Sequence, residues 1–295
     1  MKPTTLSPEV CEQLEMVQAK AGADLSRFPD FLILGPQRTG TSWISSHLKA
    51  HPEVFLPKGK ETYFFSTLLE PEKQHFDYPR LEDYLDMAMS DSTPHKLRRQ
   101  VESLVRHHTK YSPKALGDAT ASNATLSPNA IREVCLINPD IKAVLTMRVP
   151  AERVWSHAKK KFTEHSNLTM DQVDPEALDK FLRAGGQLQR GMYSTMIANW
   201  RQHLKPGNLL VAEFRLINEE PRQFLTEVLR FIGVEADRFP QQRALNKRVY
   251  PTGNSSKPPA VKERIAELYA TAQQDYETVL ADLANHQLSP GIFQL

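Results

Sequence analysis

The chain is punctuated by short runs that are apolar without alternating. Asp30-Phe31-Leu32-Ile33-Leu34 is apolar after its first residue and ends at Gly35. Such a run suits a strand covered on both faces, as in a parallel sheet. Residues 141–147 and 208–212 share that texture, and 115–117 shares it weakly. Between the runs the pattern turns helical. Residues 42–51 read as a helix that stops near Pro52, and Ser127-Pro128 caps another to about 136. Pro150 opens a helix through 162, residues 188–204 and 221–232 supply two more, and 259–285 is a long terminal helix or a pair. At the start, Ser7-Pro8 reads as the cap of a polar helix with Val10, Leu14 and Val17 roughly on one face. Strands alternating with helices of about 10–15 residues predict right-handed crossovers and a parallel sheet flanked by helices on both faces. The predicted organisation is an N-terminal helical extension over 1–28 and one α/β domain over 29–295, with a helical insertion at 60–112.

Composition narrows the class. Of 295 residues, 40% are hydrophobic and 24% charged, which excludes general disorder. With 37 Lys and Arg against 35 Asp and Glu, a net charge of +2 argues against a nucleic-acid partner held through bulk charge, so anion recognition here must be local. No stretch approaches ~18 apolar residues, and the N-terminus lacks an apolar signal core, so no membrane partner is expected. Two widely separated cysteines, Cys11 and Cys135, fit a reducing compartment and a cytoplasmic location. The histidines follow no metal-site spacing, so no metal is expected.

In open α/β sheets, ligands sit beyond the carboxyl ends of the strands. The first strand ends in Gly35-Pro36-Gln37-Arg38-Thr39-Gly40-Thr41-Ser42. Against the nucleotide-binding pattern G-x-x-x-x-G-K-[ST], Gly35, Gly40 and Ser42 match, but Thr41 stands where the lysine belongs. The physical requirement is still met. Gly40 permits a tight turn, successive N–H groups point inward, and the helix N-terminus adds partial positive charge. Thr39, Thr41 and Ser42 offer hydroxyls, and Arg38 supplies a cation from within the loop. An NTPase would also place a metal-binding Asp after a later strand, where Met147-Arg148 stands instead, so this P-loop-like turn departs from a kinase.

The segment 31–42, FLILGPQRTGTS, resembles the 5′-phosphosulfate-binding loop of sulfotransferases that use 3′-phosphoadenosine 5′-phosphosulfate (PAPS). It is nearest in texture to the heparan-sulfate sulfotransferase branch and its bacterial relatives, and the likeness runs over about residues 29–285. It implies that Gln37, Arg38, Thr39, Gly40, Thr41 and Ser42 hold the 5′-phosphosulfate. Two further motifs carry it. Arg148, at a strand end, and Ser156, on the helix opened by Pro150, can converge on one oxyanion. Their segment is similar to the family's 3′-phosphate-binding motif. Lys60-Glu61-Thr62-Tyr63-Phe64-Phe65 is similar to a family Lys-Glu-x-x-Phe-Phe segment, which implies that Glu61 is the general base, its carboxylate partly desolvated by aromatic neighbours. Tyr63 and Ser66 depart from the glycan branch, which often has His and an acid there.

Asp118 occupies the place of a family stretch lining the acceptor cleft and is left either touching substrate or capping its strand. Tyr193 and Trp200, seven apart, are expected in the core. Arg153 and Lys159-Lys160-Lys161 read as an exposed helix face edging an acidic substrate's path. Lys247 and Arg248 lie in a polar, cationic stretch similar in place to a basic loop that closes over the nucleotide, which implies that they bind the 3′-phosphate. The insertion 60–112 and a loop at 163–190 are left to hold the acceptor. The resemblance thus implies in-line transfer of the PAPS sulfuryl group to a hydroxyl or amine of a soluble small molecule or saccharide. A silent nucleotide- or glycan-binding protein of the same fold and a P-loop small-metabolite kinase are the alternatives.

Overall fold

A computed structural model describes residues 2–73, 75–164, 168–237, 245 and 257–295. Its centre is a seven-stranded sheet of β1 (Phe31–Gly35), β2 (Val54–Phe55), β3 (Ala115–Asp118), β4 (Lys142–Met147), β5 (Leu209–Glu213), β6 (Gln287–Ser289) and β7 (Ile292–Gln294), in the order β2-β3-β1-β4-β5-β7-β6. The first five strands are mutually parallel, with Phe31 beside Gly117 and Lys142, and Leu145 beside Val211. β7 joins β5 antiparallel and β6 closes the edge, so the sheet is mostly parallel with an antiparallel rim. That rim and the two-residue β2 have too little apolar pattern to be read from sequence.

The helices are α1 (Pro8–Cys11), α2 (Thr41–Ala50), α3 (Leu81–Asp83), α4 (Thr93–His107), α5 (Pro128–Ile137), α6 (Pro150–Thr163), α7 (Pro175–Arg183), α8 (Gly185–Gln189), α9 (Tyr193–Arg201), α10 (Leu216–Glu219), α11 (Pro221–Ile232), α12 (Pro259–Leu268) and α13 (Ala270–Leu283). Proline at the first turn opens α5, α6, α7, α11 and α12, where its missing N–H costs no helical bond.

Alternation along each central strand divides the core in two. Phe31, Ile33, Val144, Leu210 and Ala212 face one cluster with Trp43, Ile44 and Leu48 of α2 and Phe224, Val228 and Leu229 of α11. Leu32, Leu34, Leu145, Met147 and Val211 face the other, with Ile131 and Val134 of α5 and Tyr193 and Trp200 of α9. Both faces are therefore dry, which is why the runs are apolar throughout. A third cluster joins Val154, Trp155 and Ala158 of α6 to Leu178 and Leu182 of α7 and Tyr269 of α12's end.

Four sequence expectations need correction. The opening helix stops at Cys11, because the buried Glu133 carboxylate takes the N–H groups of Glu15 (2.7 Å), Met16 (2.9 Å) and Val17 (2.8 Å), which a continuing helix would need. Among the described residues the insertion is helical from Leu81 onward, through α3, the π turn Tyr84–Ala88 and α4, with a single 3-10 turn at Phe64–Ser66 before it. Residues 163–190 are not one loop: Asp174 caps α7 by accepting from Glu176 and Ala177, and α8 follows. Arg153 is fully buried, donating to the Gln187 carbonyl at 2.7 Å, since α6 turns that face onto α8.

Candidate active site

β1 ends under the α2 N-terminus. Gly35 and Gly40 both have positive φ, 103° and 93°, and a Cβ on Gly35 would stand 2.5 Å from the Ala121 carbonyl oxygen. A Cβ on Gly40 would meet Ile217 at 2.2 Å, so glycine is needed twice over at that turn. No side chain caps α2, which leaves its first N–H groups facing the loop as an anion site.

Arg38 is a non-glycine residue at φ 72°, in the left-handed region that costs about 1–3 kcal/mol and persists where the surroundings impose it. Its Nε donates to Ser156 Oγ at 3.0 Å, and its carbonyl accepts from Arg148 Nη1 at 3.1 Å. The Arg148 guanidinium lies over the Phe214 ring, 4.5 Å from the centroid, and the Tyr193 hydroxyl pins its backbone by accepting from its N–H (2.9 Å) and donating to its carbonyl (2.7 Å). Arg38 from the loop motif and Arg148 with Ser156 from the second motif therefore form one cluster. Burial lowers both guanidinium pKa values, Arg148's to about 10. Two desolvated cations beside an uncapped helix start make a pocket that only an anion can neutralise.

The loop side chains divide by direction. Thr39 is fully buried, and its hydroxyl is committed to the Pro36 carbonyl and Thr146 Oγ1, both at 2.7 Å, so only its backbone remains to a ligand. Gln37 Oε1 is buried with no hydrogen-bond partner among the described residues, a polar atom that a bound nucleotide could satisfy. Thr41 is buried and Ser42 half-buried at the start of α2. These features fit a sulfated or phosphorylated nucleotide. Lys247 and Arg248 lie outside the described residues.

Glu61 reaches the same place from the other side. It too has positive φ, 67°, and its Oε2 accepts from the Ala121 N–H at 2.7 Å while Lys60 contacts Oε1. Ala121 is the residue against which Gly35 packs, so the carboxylate stands at the mouth of β1. The Glu61 loop hangs from the exit of β3 by further bonds. Glu61 N–H donates to the Ala119 carbonyl (3.3 Å) and Thr62 N–H to Thr120 Oγ1 (2.9 Å). Asp118, wholly buried, accepts from Thr62 (2.5 Å), Thr120 (2.6 Å) and Tyr84 (2.8 Å) hydroxyls, so it braces this loop and is sealed from substrate. Burial raises the Asp118 pKa against those bonds and the pull of Lys60.

Burial, together with Lys160, Lys49 and Arg38, pushes Lys60 down to about 8, against the pull of Asp118. A cavity of about 230 Å³ over Glu61 is also lined by Lys58, Tyr78, Met87, Ser92 and His95. A more open depression along α7, at Pro175, Asp179 and Arg183, carries none of these groups. Tyr84 and Phe214 belong to no motif in the sequence, and Thr62 stands at an unspecified position of the Lys-Glu-x-x-Phe-Phe segment; of the three, Phe214, directly after a parallel strand, and Thr62, beside Glu61, had a positional signal. Tyr193 and Trp200 are core residues, as their spacing predicted, and Tyr193 also fixes Arg148.

Comparison with known proteins shows the family and the fold. A model described as the sulfotransferase family matches residues 29–238. The bifunctional heparan sulfate N-deacetylase/N-sulfotransferase 2 of Bos taurus is 25% identical over 218 residues, which is 70% of this chain and 22% of that protein. The corresponding protein 1 of Mus musculus is 27% identical over 219 residues, again 70% and 22%. The chain thus spans less than a quarter of these relatives. Among solved structures, a sulfotransferase from Alicyclobacillus acidocaldarius covers 86% of this chain and 96% of its own at TM-score 0.58 and 19% identity. Mouse sulfotransferase SULT7A1, complexed with PAP, covers 96% of both at TM-score 0.50 and 15% identity, a likeness of fold. With the family model spanning more than half of its length, this chain belongs to the sulfotransferase family.

Proposed function

We propose that the protein transfers the sulfuryl group of PAPS to an amine or hydroxyl of a saccharide or other small molecule. The observation that carries this reading is the meeting of Arg38, Arg148 and Ser156 over the uncapped start of α2, with Glu61 on the far side of Ala121. The 5′-phosphosulfate is held by the loop 35–42, and Arg148 with Ser156 selects the 3′-phosphate. The donor supplies a sulfur bound to a good leaving group. The acceptor oxygen or nitrogen bonds to that sulfur, its proton passes to Glu61, and the sulfur–oxygen bond to the 5′-phosphate breaks with its electron pair left on the phosphate. Arg38 neutralises that charge as it develops, a transition-state contribution that positioning and electrostatics provide without covalent chemistry from the protein. Lys60 releases Glu61 Oε1 as the acceptor arrives, freeing the carboxylate to take the proton. The names of the heparan sulfate relatives support a saccharide acceptor, with an amine among its acceptor atoms.

Thermal shifts with 3′-phosphoadenosine 5′-phosphate, ADP and ATP, each with and without Mg²⁺, test the donor. A micromolar ligand at millimolar concentration adds about 4 kcal/mol. Stabilisation by the 3′-phosphorylated nucleotide alone, independent of Mg²⁺, is expected; a response confined to ATP with Mg²⁺ sinks the reading and favours a kinase. Sulfuryl transfer from PAPS onto desulfated heparan saccharides, with 3′-phosphoadenosine 5′-phosphate as the other product, then separates an enzyme from a silent binder.

A further inference from the structure

Helix α4 turns its polar side inward. Arg99 and Ser103 are its buried residues. Arg99 donates to the His51 carbonyl at 3.1 Å and lies over the Tyr111 ring, and Ser103 donates to the Thr109 carbonyl at 2.8 Å. At about 100° per residue, Leu97, Val101, Leu104 and Val105 fall on the opposite side. They stand 65%, 54%, 46% and 71% exposed. Eight large apolar side chains are this exposed among the described residues, and six of them lie between 69 and 105. Single exposed leucines are ordinary, whereas an aliphatic stripe along one helix marks an interaction surface.

Charge and chemistry select the occupant. Residues 93–110 hold five Lys and Arg against Glu102 alone, in a chain whose total is +2. Lys96, Arg98, Arg106 and Lys110 are exposed, while Glu102 is taken up by Arg98 at 2.9 Å. A second copy of the chain would set these cations against their own kind. Protein partners are anchored by large aromatic side chains in pockets, and α4 carries no Phe, Trp or Tyr. An anionic lipid surface accepts both halves of the pattern, aliphatic side chains below and cations at the headgroups.

We infer that α4 is an interfacial helix, seating Leu97, Val101, Leu104 and Val105 in an anionic lipid surface with Lys96, Arg106 and Lys110 at its headgroups. Met87, 68% exposed, lies just before α4 and lines the cavity over Glu61 with His95 of α4, so that cavity shares lining residues with the start of this helix. No helix among the described residues is long and apolar enough to cross a membrane, and a helix lying in the interface does not need to.

Flotation of the full chain with phosphatidylcholine vesicles, neutral or with roughly one third phosphatidylglycerol, tests this independently of sulfuryl transfer. Binding to the anionic vesicles, weakened by salt, is expected. The triple variant Leu97→Gln, Val101→Gln, Leu104→Gln should lose at least about tenfold in binding while keeping its melting temperature and its response to 3′-phosphoadenosine 5′-phosphate. The second variant, Lys96→Glu with Arg106→Glu, should lose about fivefold or more per cation. Absence of binding to anionic vesicles, or undiminished binding by the triple variant, overturns the proposal. So does a parent dimer that the triple variant turns into a monomer, since a second copy would then be the occupant.

Discussion

Replacing Arg38 by Ala removes the only cation inside the glycine turn. A unit charge about 4 Å from a developing oxyanion contributes about 4 kcal/mol at an effective dielectric near 20. Part of that is already present in the ground state, where the donor is itself anionic, so the kinetic loss should be that of one preorganised donor, about 2.7–4 kcal/mol, or 10²–10³ in kcat. The fold should tolerate the change. The backbone at φ 72° strains Ala much as it strains Arg, and the carbonyl that accepts from Arg148 is retained. Loss of a desolvated guanidinium even relieves a cost. Arg38→Lys keeps the charge but forfeits the planar fork bonded to Ser156, and should fall between, about tenfold below the parent. The assay is steady-state turnover at saturating PAPS, paired with calorimetric affinity for 3′-phosphoadenosine 5′-phosphate. If Arg38→Ala turns over within about threefold of the parent, or its defect lies wholly in nucleotide affinity, Arg38 does not act on the leaving oxygen.

Other perturbations reach the remaining parts of the site. Glu61→Gln keeps an acceptor for the Ala121 N–H, so nucleotide affinity should hold while kcat drops about 10²-fold or more; weakened nucleotide binding with normal turnover would refute the base role. Asp118→Ala strands the hydroxyls of Thr62, Thr120 and Tyr84 in the interior and should cost about 2–4 kcal/mol in chemical denaturation, whereas a change under about 0.5 would show that the brace is not structural. Lys60 titrates near 8 in the folded chain, below its unfolded value near 10.5, so the unfolded state binds more protons between those pH values and folding stability rises with pH across that window. Lys60→Met should abolish a rise on the order of 2 kcal/mol between pH 8 and 10.5, and an identical pH profile in parent and variant would refute the shift.

How much of this was legible beforehand depends on the range over which each interaction acts. β1, β4, β5, α5, α6 and α11 were readable because their signals are local: an unbroken apolar run for a strand covered on both faces, and Ser or Pro at a helix start. The same holds for the glycine turn, where a positive φ and close approach at Gly35 and Gly40 leave one residue type. The motif residues Arg38, Glu61, Arg148 and Ser156 could be named from sequence, but the meeting of Arg38 and Glu61 with the Arg148–Ser156 pair could not, since β1, β4 and the exit of β3 become neighbours only through the sheet order.

Tertiary contacts decided the rest. Val10, Leu14 and Val17 carry a helical spacing, yet Glu133, more than a hundred residues away, claims the N–H groups that would extend α1. Arg153 looks like a surface cation until α8 covers it, and Asp118 stays open between substrate contact and strand cap until Tyr84 and Thr62 close over it. In α4 the spacing announces two faces with equal clarity, but only the packed structure says which one the protein keeps, and here it kept the polar one. Periodicity records how side chains are distributed around an axis; which side meets the core is settled by what the distant parts of the chain bring to it.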